Sequence, residues 1–146
     1  EFDLEKALWT IPARRMKARR EHVVPLPTQA VELLKAMHPI TGHTKFVFPN
    51  RDDRQRPMAD AALRQALKKL GWATKYSPHG TRTTSSTRLN EMGYRPDAIE
   101  AQLAHAEPNS VRRTYNHATY LGERRAMMQE WAGQLEAWKL AARAGD

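Results

Sequence analysis

The sequence predicts a mainly α-helical fold with a small antiparallel β element near the N-terminus. Two observations carry that prediction. Two short β-branched segments flank a basic connection within the first 26 residues, and from residue 28 onward apolar residues recur three or four apart between proline and glycine stops. A chain of 146 residues with 40% apolar and 27% charged residues is enough for one core, so residues 1–146 are read as a single domain.

The β element comes first. Leu8-Trp9-Thr10-Ile11-Pro12 and His22-Val23-Val24-Pro25-Leu26 read as the arms of a hairpin. Pro12 and Pro25 argue against central strands, so the arms are expected to be edge strands or strand ends. Thr28 is expected to cap a helix carrying Val31, Leu34 and Met37, with Pro39 and Gly42 as its stop. Phe46-Val47-Phe48-Pro49 reads as a short extended stop, and Arg51 to Pro57 as a polar loop.

Met58 to Leu70 keeps helical spacing at Leu63, Ala66, Leu67 and Leu70, and Gly71 closes it. A further run starts at Pro78-His79-Gly80 and stops at Gly93 after Met92. Pro96 opens a helix in its first turn, with Ile99 and Leu103 on one side. A short helix fits Asn109 to Ala118, and a long one fits Gly122 to Ala142 with a seam of Met128, Trp131, Leu135, Trp138 and Ala142. That seam suits docking on its own domain or on a neighbouring protomer. The sequence contains no internal repeat and no low-complexity tract.

Composition narrows the function. Twenty-four Lys and Arg against 16 Asp and Glu give a formal net charge of +8 and a pI near 10.1, which favours polyanionic partners, nucleic acid first. The basic residues fall into three clusters. Arg14, Arg15, Lys17, Arg19 and Arg20 lie between the hairpin arms; Arg64, Lys68, Lys69, Lys75 and Arg82 follow Asp60; Arg112 and Arg113 form the third. Separate clusters suit a surface that tracks a phosphate backbone. Taken one at a time they suit solvated helix faces better, and it is their co-occurrence with the motifs below that favours the phosphate backbone.

No apolar stretch reaches the length of a membrane span, and the N-terminal residues lack the layout of a signal peptide, so a cytoplasmic protein is expected. With no cysteine there is no thiolate zinc site and no thiol nucleophile. The six histidines form no His-x-x-x-His or His-Glu-x-x-His pair, so no metal site is expected. No glycine elbow surrounds the Thr83-Thr84-Ser85-Ser86 serines, which argues against a serine hydrolase.

Another constellation fits better. His79-Gly80-Thr81-Arg82 opens a helix, Leu103-Ala104-His105 follows, and Tyr115 lies ten residues beyond in Arg112-Arg113-Thr114-Tyr115-Asn116-His117. An arginine beside the exposed N–H groups of a helix start suits a phosphate, histidines can donate to its oxygens or move protons, and a tyrosine can attack phosphorus.

These residues resemble those of the tyrosine recombinases, or phage integrases, in particular the integrases of P4-like prophages. The matching stretches are Glu1-Phe2-Asp3-Leu4-Glu5, Trp9-Thr10-Ile11-Pro12, Arg15-Met16-Lys17, His22-Val23-Val24-Pro25-Leu26 and Phe46-Val47-Phe48-Pro49. They continue through Pro78-His79-Gly80-Thr81-Arg82, Leu89-Asn90-Glu91, Arg95-Pro96-Asp97-Ala98-Ile99-Glu100, Gln102-Leu103-Ala104-His105 and Tyr115-Asn116. The resemblance runs in order along nearly the whole chain.

The resemblance implies site-specific strand exchange on double-stranded attachment-site DNA, without metal or cofactor, in a synaptic tetramer of integrase protomers associated with the nucleoid of a bacterial host. By matching position it makes Tyr115 the nucleophile, Lys17 the general acid, Arg82 and His105 the stabilisers of the transition state, and His79 the proton partner of Tyr115. Arg14, Arg15, Arg19, Arg20, Arg64, Lys68, Lys69, Arg112 and Arg113 are the expected DNA contacts. Tyr120 is the second choice of nucleophile, His79 can equally serve as a helix cap, and Tyr115 shares helical spacing with Val111 and Ala118, as a core tyrosine would. Thr83 stands where many family members have histidine.

The family's first catalytic arginine lies in a segment preceding residue 1. Residues 1–146 are therefore read as the C-terminal part of a catalytic domain, and by themselves they are expected to cleave DNA poorly or not at all. The competing reading is a non-catalytic DNA-binding or assembly remnant of an integrase.

Overall fold

The computed structural model describes residues 1–104 and 119–145. They are mainly helical, with a three-stranded antiparallel sheet at the N-terminus, as the sequence predicts. The chain divides into two compact units, one of Glu1–Val31 with Ser85–Asp146 and one of Glu32–Thr84.

In the first unit, β1 (Phe2–Asp3), β2 (Leu8–Ile11) and β3 (His22–Pro25) form a sheet in the order β1-β2-β3. The expected hairpin is β2 against β3, with Leu8 opposite Pro25 and Ile11 opposite His22. Both prolines lie at strand ends, as expected, but the expectation that neither arm is central is corrected for the first arm. Phe2 and Asp3 pair with Trp9 and Leu8, so β2 is central. Pro12 allows this because it lies one residue beyond the strand, where no ladder N–H is needed. Phe2 stacks on Trp9 with ring centroids 5.4 Å apart, which fastens the added strand.

Helix α1 (Thr28–Thr41) follows. The Pro27 carbonyl accepts the Ala30 and Val31 N–H groups at 3.0 and 3.1 Å, so Pro27 rather than Thr28 occupies the N-cap position. Thr28 is instead the first helical residue, and its N–H and hydroxyl both donate to Gln129 Oε1, at 2.9 and 3.0 Å.

Among the described residues, three further helices supply this unit's core: the second half of α3 (Gly80–Glu91), α4 (Pro96–Gln102) and α5 (Leu121–Ala144). Leu89, Ile99, Met127 and Trp131 are buried together, and Met92, Tyr94, Leu103 and Met128 pack around them. Gly93 ends α3 at φ +85°, a conformation costly for any residue with a Cβ. There the Tyr94 N–H donates to Leu89 O at 3.1 Å and the Gly93 N–H to Asn90 O at 3.0 Å, the paired bonds of a Schellman stop. Pro96 occupies the first turn of α4, where its missing N–H costs nothing.

The seam expected on α5 is also corrected. Its buried residues are Arg124, Met127, Trp131 and Ala132, whereas Leu135 and Trp138 are 45% and 40% exposed. The helix packs on α4 and β3, and its buried residues all lie between Arg124 and Ala132, so the apolar residues of its second half stay largely exposed. Trp138 still meets the Trp131 ring edge to face at 5.6 Å, and the Arg88 guanidinium lies 5.7 Å from its centroid.

In the second unit, α1 continues through Pro39, where the sequence predicts a stop. Proline removes one N–H from the helix ladder, but Pro39 is exposed and only two helical residues follow it, so little is disrupted. The end is fixed by Thr41, whose hydroxyl donates to Val47 O at 2.9 Å, and by the Gly42 N–H on His38 O at 2.7 Å. A Cβ at Gly42 would stand 2.4 Å from that carbonyl oxygen.

The polar loop folds back on itself through a Pro49–Pro57 bridge, with Asn50 Oδ1 accepting the Asp52 and Asp53 N–H groups. Helix α2 (Ala62–Lys69) ends at Gly71, φ +77°, where the Trp72 N–H reaches Leu67 O at 2.8 Å and the Gly71 N–H reaches Lys68 O at 3.0 Å. The short helix expected at Asn109 to Ala118 lies outside the described residues.

Candidate functional site

The connection from β2 to β3 carries the first cluster of candidates. Pro12 closes β2, and a single 3₁₀ turn, Ala13–Arg15, starts the connection with the Arg15 N–H on Pro12 O at 2.9 Å. Arg14, Arg15, Lys17, Arg19 and Arg20 are all exposed along it. Arg19 adopts φ +53°, a left-handed conformation uncommon outside glycine, asparagine and aspartate, and its N–H donates to Met16 O at 3.0 Å. The first of these bonded turns, Pro12–Arg15, precedes Lys17, and the second, Met16–Arg19, contains it.

Arg15 is engaged within the protein. Its guanidinium pairs with the Glu1 carboxylate, which also accepts the Trp9 indole N–H at 3.3 Å. The Arg15 hydrogen bond, with help from Trp9, holds the Glu1 carboxyl below its ordinary range. Arg15 thus links the connection to the start of the chain as well as adding to its positive field.

The second unit carries His79 and Arg82 at the start of α3. Gly80 donates its N–H to Ser77 Oγ at 3.1 Å, and the Thr81 hydroxyl donates to Pro78 O at 2.6 Å. The His79 carbonyl accepts the Arg82 N–H at 3.1 Å, so His79 immediately precedes the helix and Arg82 lies in its first turn. Both side chains are exposed, at the end of the helix where its dipole favours an anion. Tyr76 steadies this entry through a 3.3 Å contact between its hydroxyl and Thr84 Oγ1. On α2, Arg64 and Lys68 are exposed and four residues apart, hence on one helical face, with Lys69 beside them.

His105, Arg112, Arg113 and Tyr115 lie outside the described residues. Tyr120, the second choice of nucleophile, precedes α5 at φ +48°, half-buried, with the Arg95 guanidinium 4.9 Å from its ring centroid. Arg95 also stands 3.7 Å from Glu123 and 3.9 Å from Asp97. Tyr120 is thereby built into a contact between the entries of α4 and α5.

Sequence reasoning missed Arg124, which is only 2% exposed. Its Nε donates to Gln102 Oε1 at 2.9 Å, Nη1 to Thr119 O at 3.1 Å and Nη2 to Val23 O at 2.7 Å. Burial lowers the guanidinium pKa, though arginine stays charged at any ordinary pH. The available signal was its position three residues before Met127 and seven before Trp131, on the buried stripe of α5. Among the described residues no buried side-chain nitrogen or oxygen lacks a hydrogen-bond partner, and no helix is long and apolar enough to cross a membrane.

Comparison with known proteins gives a consistent picture. The sequence profile of the phage integrase family matches residues 1–121. The chain is 45% identical over 137 residues to the prophage integrase IntA of Escherichia coli K12, covering 94% of this chain and 33% of IntA. It is 49% identical over 137 residues to the prophage integrase IntZ of the same strain, covering 93% and 34%. To the integrase of Enterobacteria phage P4 it is 41% identical over 152 residues, covering 93% and 35%. The chain spans about a third of the length of these curated relatives. No solved structure matches it.

Proposed function

Because the chain belongs to the phage integrase family, we propose that it supplies the nucleophile and most of the catalytic groups for site-specific recombination that integrates a prophage or genomic island into double-stranded DNA. The observation that carries the reading is the ordered set Lys17, His79-x-x-Arg82, Leu103-x-His105 and Tyr115, all within the residues matched by the family. The exposed position of Arg82 in the first turn of α3 supports it, because that is where a phosphate is most readily held.

In this mechanism the Tyr115 phenolic oxygen attacks the scissile phosphorus and its proton passes to His79. The new bond is a 3′-phosphotyrosine ester, and the bond to the 5′-oxygen breaks as Lys17 protonates that oxygen. Arg82 and His105 stabilise the negative charge that builds on the non-bridging oxygens. Tyrosine suits the task because its phenol, with a pKa of about 10, is a far better leaving group than a sugar hydroxyl, so a second strand's 5′-hydroxyl can reverse the ester.

The basic residues of the β2–β3 connection and of α2 hold the backbone through phosphates rather than bases. Residues 1–146 form the C-terminal part of the catalytic domain, working with other protomers in a synaptic tetramer. A further arginine supplied by preceding sequence completes the phosphate clamp, so residues 1–146 by themselves cleave poorly.

The test uses the full-length protein and a nicked suicide attachment-site duplex, scored for a denaturant-resistant protein–DNA complex. Tyr115→Phe abolishes the complex and Tyr120→Phe retains it. A complex that survives Tyr115→Phe and disappears in Tyr120→Phe overturns the assignment.

A further inference from the structure

The buried guanidinium of Arg124 draws its three acceptors from three separate stretches of chain. Val23 belongs to β3, just after the connection that carries Lys17; Gln102 is the last residue of α4; Thr119 stands two residues before α5. In sequence, Gln102 and Thr119 flank the stretch that contains His105 and Tyr115. A second bond runs parallel to these, between the His22 imidazole and Gln102 O at 3.2 Å.

A buried charge is costly unless it is fully hydrogen-bonded, so burial by itself would favour an apolar side chain at this position. Packing alone therefore does not call for arginine at position 124. The geometry does. One rigid planar fork with donors in fixed directions sets the relative positions of three acceptors in a way that no single apolar residue can.

We propose that Arg124 is a positioning residue for strand cleavage: it holds together the two points between which the His105–Tyr115 stretch is strung, and ties both to the strand that follows Lys17. The proposal rests on the assignment of Tyr115 as nucleophile and Lys17 as general acid. Arg124 itself touches no reacting atom. Its effect comes through the fixed origin it gives to the groups that do, where misplacement by about 1 Å can cost two orders of magnitude in rate.

The test compares wild type, Arg124→Met and Gln102→Leu in the full-length protein by single-turnover cleavage of the suicide duplex and by limited trypsinolysis. In Arg124→Met the cleavage rate at saturating DNA falls about tenfold or more while the DNA dissociation constant moves less than about twofold. Trypsin cuts after Arg112 and Arg113 about fivefold faster, with cutting after Arg51 and Arg54 unchanged. Gln102→Leu, which removes one arm of the clamp, changes both readouts in the same direction by about threefold, and it carries the test if Arg124→Met fails to fold.

Strand-cleavage and trypsin rates that both stay at the wild-type level overturn the proposal. So does an equal acceleration at every tryptic site, because that marks a general loss of stability. If Tyr115→Phe still forms the covalent complex, the assignment of the nucleophile falls, while the trypsin pattern decides separately whether Arg124 anchors the stretch.

Discussion

Tyr94 donates its phenolic hydroxyl to the Glu130 carboxylate, fastening the residue after the α3 stop to the middle of α5. That hydrogen bond, with burial and the nearby charges of Glu130 and Glu123, pushes the Tyr94 pKa from its ordinary 10.0 up to about 12. A raised folded-state pKa means the stabilisation is complete below pH 10 and is lost as pH climbs through 12. Absorbance titration at 295 nm is expected to show a component with a midpoint of about 12 that vanishes in Tyr94→Phe. A lost component centred near the ordinary value would contradict the contact. The same substitution is expected to lower stability by about 1 kcal/mol at neutral pH.

Ile99 is fully buried on α4 between Leu89, Met127 and Trp131. Ile99→Ala removes three carbons from that packing, and urea denaturation is expected to show a loss of about 2–5 kcal/mol. Leu135→Ala, on the exposed half of α5, is expected to cost less than about 1 kcal/mol. Equal losses at the two positions would mean that the second half of α5 is buried in solution.

Lys17 is the assigned proton donor to the leaving oxygen, and arginine cannot replace it because guanidinium does not release its proton near neutral pH. Lys17→Ala and Lys17→Arg in the full-length protein are both expected to slow single-turnover cleavage by about 10²–10⁴-fold. A duplex with sulfur in place of the scissile 5′-bridging oxygen has a leaving group that needs no protonation, and it is expected to restore both variants. Restoration by arginine on the ordinary duplex would reduce Lys17 to a phosphate contact.

Arg64 and Lys68 share an exposed face of α2. If each neutralises one phosphate, Arg64→Ala with Lys68→Ala is expected to weaken duplex binding equally for all sequences. The double change should make the slope of log affinity against log salt shallower by about 2. Binding titrations from low to moderate salt measure it, and an unchanged slope would place α2 away from DNA.

Much of the fold is legible because its signals are local. Gly71 and Gly93 announce helix stops since each closes a Schellman pair in the left-handed region. The β2–β3 hairpin is legible in its β-branched residues and flanking prolines. The two-residue strand Phe2–Asp3 is not, because so short a segment carries no alternation and exists only through Trp9 and Leu8. The buried face of α5 is misjudged for a related reason. Helical spacing shows which residues share a stripe, but not over what length that stripe meets a partner.

At the site, the motif residues are legible by type and separation, whereas the partners that fix them are not. Arg15 reads as one more cation in a basic run, and only the fold brings Glu1 to it. Arg124 sits between Glu123 and Arg125 in a charged triplet that looks solvated, and its burial depends on acceptors 22 and 101 residues away in sequence.

Ala104 and Tyr120 adopt left-handed backbone conformations, at φ +53° and +48°, without being glycine. Each carries a Cβ where none is preferred, at a cost of about 1 kcal/mol or more. Natural variation and saturation libraries should therefore be asymmetric at these two codons. Glycine and asparagine ought to be enriched at 104 and β-branched residues depleted, while at 120 the ring's hold on Arg95 opposes the same drift.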